Sequence, residues 1–165
     1  MPTTTETVRP INPARATLAL GRIALPYVLG AVIAYVFLKY LPYKFAPESA
    51  LFQTIEDWAG YDFVEPYFRY LTGSIEALAS LLLFIPGLQL AGAGLALGTM
   101  TGAILLHVFT PLGIDPYNDG AQLFKQACTV WVCALVIIAI RHEEILPFLR
   151  RLVTDPHALR VWRDV

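Results

Sequence analysis

Charge is what this sequence has least of. Only 15% of its 165 residues are Asp, Glu, Lys or Arg, and the 12 basic side chains nearly cancel the 13 acidic ones. With no basic stripe, the chain lacks the electrostatic footing of a nucleic-acid binder. Cysteine is equally sparse. The two present, Cys128 and Cys133, stand about 140° apart around a helix, which suits neither a CxxC redox pair nor a mutual disulfide. Three histidines, His107, His142 and His157, are too dispersed to form a zinc or haem centre from spacing, so no metal site is expected. There is no P-loop, no Gly-rich dinucleotide fingerprint and no nucleophile elbow, and hence no recognisable catalytic constellation. What is abundant is apolar surface: 56% of the residues are hydrophobic, more than a soluble domain of this length easily hides. The lipid bilayer is the expected surroundings.

Four apolar runs carry that surplus, at 17–40, 66–85, 88–109 and 124–140. Each is close to the roughly 20 helical residues that cross a hydrocarbon core of about 30 Å. In lipid the backbone must satisfy its own hydrogen bonds, so these runs predict helices and an all-α, four-transmembrane-helix bundle spanning 17–140. A signal peptide is the competing reading of the first run, but its apolar stretch is longer than a usual h-region. Arg9 and Arg15 precede the first run, while Arg141, Arg150, Arg151, Arg160 and Arg163 follow the fourth. The positive-inside rule then places both termini in the cytoplasm of a multi-pass plasma (bacterial inner) membrane protein. The segment 41–65 and the loop near Asp115 and Asp119 are acidic and belong outside. Residues 1–16 read as a cytoplasmic lead-in, and 141–165 as a cytoplasmic tail whose "EILPFLRRLV" is amphipathic enough to lie on anionic lipid.

Pro86-Gly87 makes the second and third spans an antiparallel hairpin. On the third, Gly94, Gly98 and Gly102 recur every fourth residue. Such a smooth face predicts close helix packing, either within the bundle or in a homo-oligomer. The second span poses a sharper problem. Glu76 lies in "YLTGSIEALASLLLFIPG", about six residues and roughly 9 Å beyond Tyr70. An ionised side chain near the centre of a membrane helix costs on the order of 3 kcal/mol, so Glu76 must be neutral, paired or wetted. His107, Lys39 and Lys44 are at compatible depth to meet it, while Arg69 can snorkel outward and Arg22 toward the cytoplasmic headgroups. Glu76 is either a proton- or ligand-handling residue or a polar lock between helices.

The ordered segments "LPYKFAPESALF", "YLTGSIEALASLLLFIP", "GAILLHVFTPLGIDPYNDGAQLF" and "RHEEILPF" together resemble the DoxX-like family of small four-helix integral membrane proteins. The resemblance covers about 20–147 and rests on Lys44, Phe45, Glu48, Ser49, Glu76, Gly102, Ala103, Ile104, His107, Asp119 and Gly120. It implies a membrane subunit of a redox-associated assembly, linked to quinones or oxidative stress, and a redox protein subunit as partner. Lys44, Glu48, Glu76, His107 and Asp119 become the candidate ligand-binding or proton-handling residues, with quinone as the candidate cofactor. At most the chain would be one subunit of a membrane oxidoreductase. It departs from the family's thiol-linked relatives in lacking a usable cysteine pair. The alternative is a non-enzymatic membrane scaffold or assembly factor.

Overall fold

Helix α1 begins on Pro13, whose missing N–H costs nothing in a first turn, and runs unbroken to Lys44. The computed structural model describes residues 13–145, and every regular element among them is helical. After α1 come α2 (Ala50–Ala59), a π turn (Val64–Phe68) leading directly into α3 (Arg69–Leu82), α4 (Gln89–Phe109), α5 (Gln122–Ile140) and a 3-10 turn (His142–Glu144). The amphipathic tail expected after the last span lies, beyond Ile145, outside the described residues.

Helices α1 and α4 each pack against both α3 and α5. The four therefore close into a ring with α1 and α4 across one diagonal. Ile33 and Phe37 of α1, Ala79 of α3 and Leu83 just after it, Ala93 and Ala96 of α4, and Val130 and Ile137 of α5 fill the centre. Small residues dominate the α3 and α4 contributions, which lets those backbones approach closely. Around the outside, Val28, Leu71, Leu78, Leu81 and Val132 are exposed. Contiguous apolar surface of this kind is what hydrocarbon tolerates and water does not.

Among the described residues three helices, α1 from Gly21, α4 and α5, are long and apolar enough to cross a membrane. The fourth run, predicted over 66–85, forms only the 14-residue α3, about 21 Å long against a core of about 30 Å. Its limits have local causes. The backbone leaves helical geometry at Glu65, just before Pro66, and Leu83 to Leu88 turn through Gly87 in the left-handed region that only glycine enters freely. The buried Gln89 side chain donates from Nε2 to the Leu83 carbonyl at 2.9 Å, closing the end of α3.

The acidic segment 41–65 is also more ordered than its composition suggests. Phe52 and Ile55 of α2 join Val64 and Leu112 in a second, smaller core at one end of the bundle. Gly60, at a φ of 72°, ends α2 by donating to the Glu56 carbonyl. The Glu56 carboxylate then accepts from the Glu65 N–H at 2.7 Å, tying the end of α2 to the start of the π turn.

The glycines of α4 divide into two groups. A Cβ on Gly92 would sit 2.8 Å from Leu83 N and 3.0 Å from Ala79 O, so this is where the α3–α4 hairpin closes backbone to backbone. At Gly94, Gly98 and Gly102 a Cβ would meet nothing within 4 Å. Within the bundle, close packing is made at Gly92 and not along that row. Gly92→Ala is therefore expected to cost about 1–3 kcal/mol, the usual price of forcing backbone apart. Gly98→Ala should be neutral or stabilising by up to about 1 kcal/mol, from helix propensity. Unfolding of both variants in detergent micelles measures the contrast, and equal effects would contradict this division.

Candidate functional site

One face of α3 carries Arg69, Gly73, Glu76 and Ser80, spaced at four, three and four residues and all buried. Arg69 is fully buried, the reverse of the outward snorkelling expected of a basic residue near a helix end. Its guanidinium is saturated. Nε and Nη2 donate to the Glu65 carboxylate, Nη1 to the carbonyls of Lys44 at 2.6 Å and Ala46 at 2.7 Å, and Nη2 also reaches Pro47 O at 3.4 Å. A planar fork with five donors is suited to gathering a carboxylate and several carbonyls in one place. Here it grips the chain where α1 ends, satisfying the last helical carbonyl, that of Lys44, together with those of Ala46 and Pro47 just beyond it.

Lys44 is thereby laid across α3. Its carbonyl is held by Arg69, its Cβ lies where any side chain at position 73 would have to go, and its Nζ stands 3.4 Å from Glu76 Oε1. A Cβ on Gly73 would come within 2.8 Å of Lys44 Cβ and 3.2 Å of the Phe45 ring. Phe45 in turn stacks on Tyr70, their rings 9° from parallel. The Lys44 ammonium also sits 4.8 Å from the centroid of Phe52, which links the ion pair to α2. The Glu76 side chain is 4% exposed and that of Lys44 21%. This answers how a carboxylate is tolerated here: a cation from the end of α1 compensates it.

The other proposed neighbours are engaged elsewhere. Lys39 Nζ lies over the Tyr40 ring at 5.1 Å. The buried His107 has its Nδ1 2.6 Å from the Gly113 carbonyl, a contact that requires the proton on Nδ1 and gives a neutral ring its free lone pair on Nε2. Phe124 packs edge-on against that ring. Arg22 pairs with Glu143 at 3.5 Å, both well exposed, an arrangement worth little on its own.

Lys44, Glu48, Glu76 and His107 all line one cavity of about 1160 Å³. The wall is otherwise mainly apolar, built from Phe37, Phe52, Leu95, Met100 and Leu106 among others, and it reaches Gly94, Gly98 and Gly102. Asp119 is not part of it. Its carboxylate accepts from the Gln122 N–H at 3.0 Å and caps α5. The residues that composition and spacing passed over are Arg69, because basic side chains near helix ends usually face out, and Gln126. The latter also lines the cavity, and its Oε1 is buried without a hydrogen-bond partner among the described residues. Only its place within an apolar run marked Gln126 in the sequence.

Beside the cavity, the α4–α5 loop is organised on Asp115, whose carboxylate accepts from the N–H groups of Asp119 at 3.0 Å and Gly120 at 3.1 Å. Hydrogen bonding from the Ala121 backbone, reinforced by Asp119 and Gly120 and opposed by partial desolvation, holds the Asp115 carboxyl below its usual range. A group depressed on folding stabilises above its unfolded value of about 4 and stops doing so as pH falls through its folded value. No family model, curated protein or solved structure matches the chain.

Two measurements check this geometry. Lys44→Met leaves Glu76 buried and unpaired, and is expected to cost about 3–5 kcal/mol, the range for breaking a buried pair. Adding Glu76→Gln should return most of that loss, so a double-mutant cycle in micelles will be strongly non-additive; simple additivity would mean the pair is not formed. The stability difference between wild type and Asp115→Asn should be greatest at neutral pH and shrink below about pH 4. A difference that grows on acidification would contradict the assigned hydrogen bonds.

Proposed function

We propose that this chain is a DoxX-like integral membrane protein, a redox-associated subunit that holds a quinone or another small amphipathic molecule in an outer-leaflet pocket. The cavity carries this reading. It has an apolar wall, is large enough for a lipid-sized molecule, and brings an ion pair, a carboxylate and an imidazole to one region, the composition expected of a ligand site with a few placed polar groups. Glu76 and His107 handle protons in it, and Lys44 sets the charge on Glu76.

In this reading α3 is the fourth membrane helix, the π turn and the Leu83–Leu88 turn supplying the length it lacks. Supporting this are the exposed Leu71, Leu78 and Leu81, which face the same surroundings as the outer faces of α1 and α5. Both termini are cytoplasmic by the distribution of arginine, and the protein is a multi-pass component of the plasma membrane with a redox protein as partner. The exposed aromatic side chains of Trp58, Tyr61, Phe63 and Tyr67 suit the outer headgroup level, where amphipathic rings collect.

A second reading has its own observation. The Arg69 fork and the Lys44–Glu76 pair together lock α1 to α3, as a scaffold requires. The two separate on one variant. If the pocket reading holds, Glu76→Gln purified in nanodiscs keeps its fold and loses co-purifying quinone or lipid by about tenfold or more, the scale of a lost charge-assisted contact. Full ligand retention by a destabilised Glu76→Gln would instead establish the scaffold and overturn the pocket.

A further inference from the structure

The glycines of α4 lie on two different faces of the helix. At Gly92 the backbones touch. At Gly98, about 120° around α4 from it, nothing stands within 4 Å of the position a Cβ would take. Gly94 and Gly102, one turn to either side, are equally free, and all three are exposed while also lining the cavity. The cavity therefore continues onto the outer surface of a membrane-spanning helix, where the medium is lipid. Its α3 margin is formed by Thr72 and Ile75, in the turn that leads into Glu76.

The charges inside the cavity say what kind of head suits it. Lys44 and Glu76 neutralise each other at 3.4 Å, and Glu48 at the margin adds a negative charge, so no net positive charge is left to receive a phosphate or carboxylate. Among the described residues, the Gln126 Oε1 at the cavity wall is buried without a hydrogen-bond partner. An unpartnered carboxamide oxygen accepts, and therefore fits a head that carries a hydroxyl.

Resting on the pocket reading above, we infer that the ligand is an uncharged, chain-bearing lipid that enters sideways from the bilayer, its chain lying in the groove over Gly94, Gly98 and Gly102 and its head hydrogen-bonded by Gln126. Glycine on this face leaves the groove open, although a Cβ at each of the three positions would meet nothing in the fold. A chain lying there buries apolar surface against α4, while the head stays beside the ion pair. Access from the bilayer also spares the ligand a passage through water.

The test uses the full chain in nanodiscs and three probes: a decyl-substituted quinone in its reduced, hydroquinone form, the same reduced ring without the chain, and decyl phosphate. The decyl hydroquinone should bind at least about tenfold more tightly than the bare ring, since each buried methylene contributes favourably. Gly98→Phe should abolish that advantage by filling the groove, with the unfolding temperature unchanged, because a Cβ at this position meets nothing within 4 Å. Gln126→Leu should weaken both hydroquinones, and decyl phosphate should bind more weakly than the decyl hydroquinone. If Gly98→Phe proves unstable, Gly94→Leu and Gly102→Leu probe the same groove. Retention of the chain's advantage in the folded glycine variants would overturn the lateral route while leaving the pocket standing. Equal or tighter binding of decyl phosphate would overturn the uncharged head. Loss of self-association in Gly98→Phe, with ligand binding intact, would identify the row as a contact between copies and overturn the groove. Failure of wild type to bind any probe would overturn the pocket reading and this inference with it.

Discussion

The architecture around the cavity depends on a buried guanidinium. Arg69 gathers the Glu65 carboxylate and the carbonyls of Lys44, Ala46 and Pro47, and so decides where α1 ends relative to α3. A cation removed from solvent is tolerable only when its donors are all met, and here meeting them forces two separate stretches of chain together. Lys44 then has one place to go: over Gly73, with its ammonium at Glu76 and against Phe52. The ion pair follows from the clamp, since the clamp sets the direction from which Lys44 approaches.

The same economy explains the cavity. Four helices meet in a ring, but their separation is set by what lies between them. Between α3 and α4 this is backbone against backbone at Gly92, while toward Glu76 the space is bordered by Thr72, Ile75, Leu95 and Thr99. At that end α2 and its small core of Phe52, Ile55, Val64 and Leu112 cover the bundle, with Phe52 and Ile55 also contributing to the cavity wall. A pocket held between rigid helices and roofed by a docked helix keeps its shape without a bound molecule, the condition for binding without an ordering cost.

How far this was legible follows from the range of each interaction. Apolar runs of helical length announced α1, α4 and α5, because the 1.5 Å rise and the need to satisfy backbone groups in lipid act along a single segment. The run over 66–85 was misjudged in length. Its composition suits a full span, but the break before Pro66 and the turn from Leu83 limit α3 to 14 residues. The helix at Ala50–Ala59 was hidden by the acidity of its segment, which spoke for exposure while Phe52 and Ile55 marked a buried face. Lys44 was named among three partners for Glu76, yet choosing between it, Lys39 and His107 requires knowing that Tyr40 and Gly113 occupy the other two.

The sequence by itself determined the kind of molecule: an all-helical chain, apolar enough for lipid, with one carboxylate demanding compensation and a row of small residues on α4. Those properties are local, set by composition and by period. Only the tertiary structure decided that Arg69 faces inward, that Gly92 and not Gly98 is the point of contact, and that Gln126 reaches the cavity beside Glu76 and His107. Each depends on which faces of separate helices meet, and a spacing of three and four residues defines a face without saying what will lie opposite it.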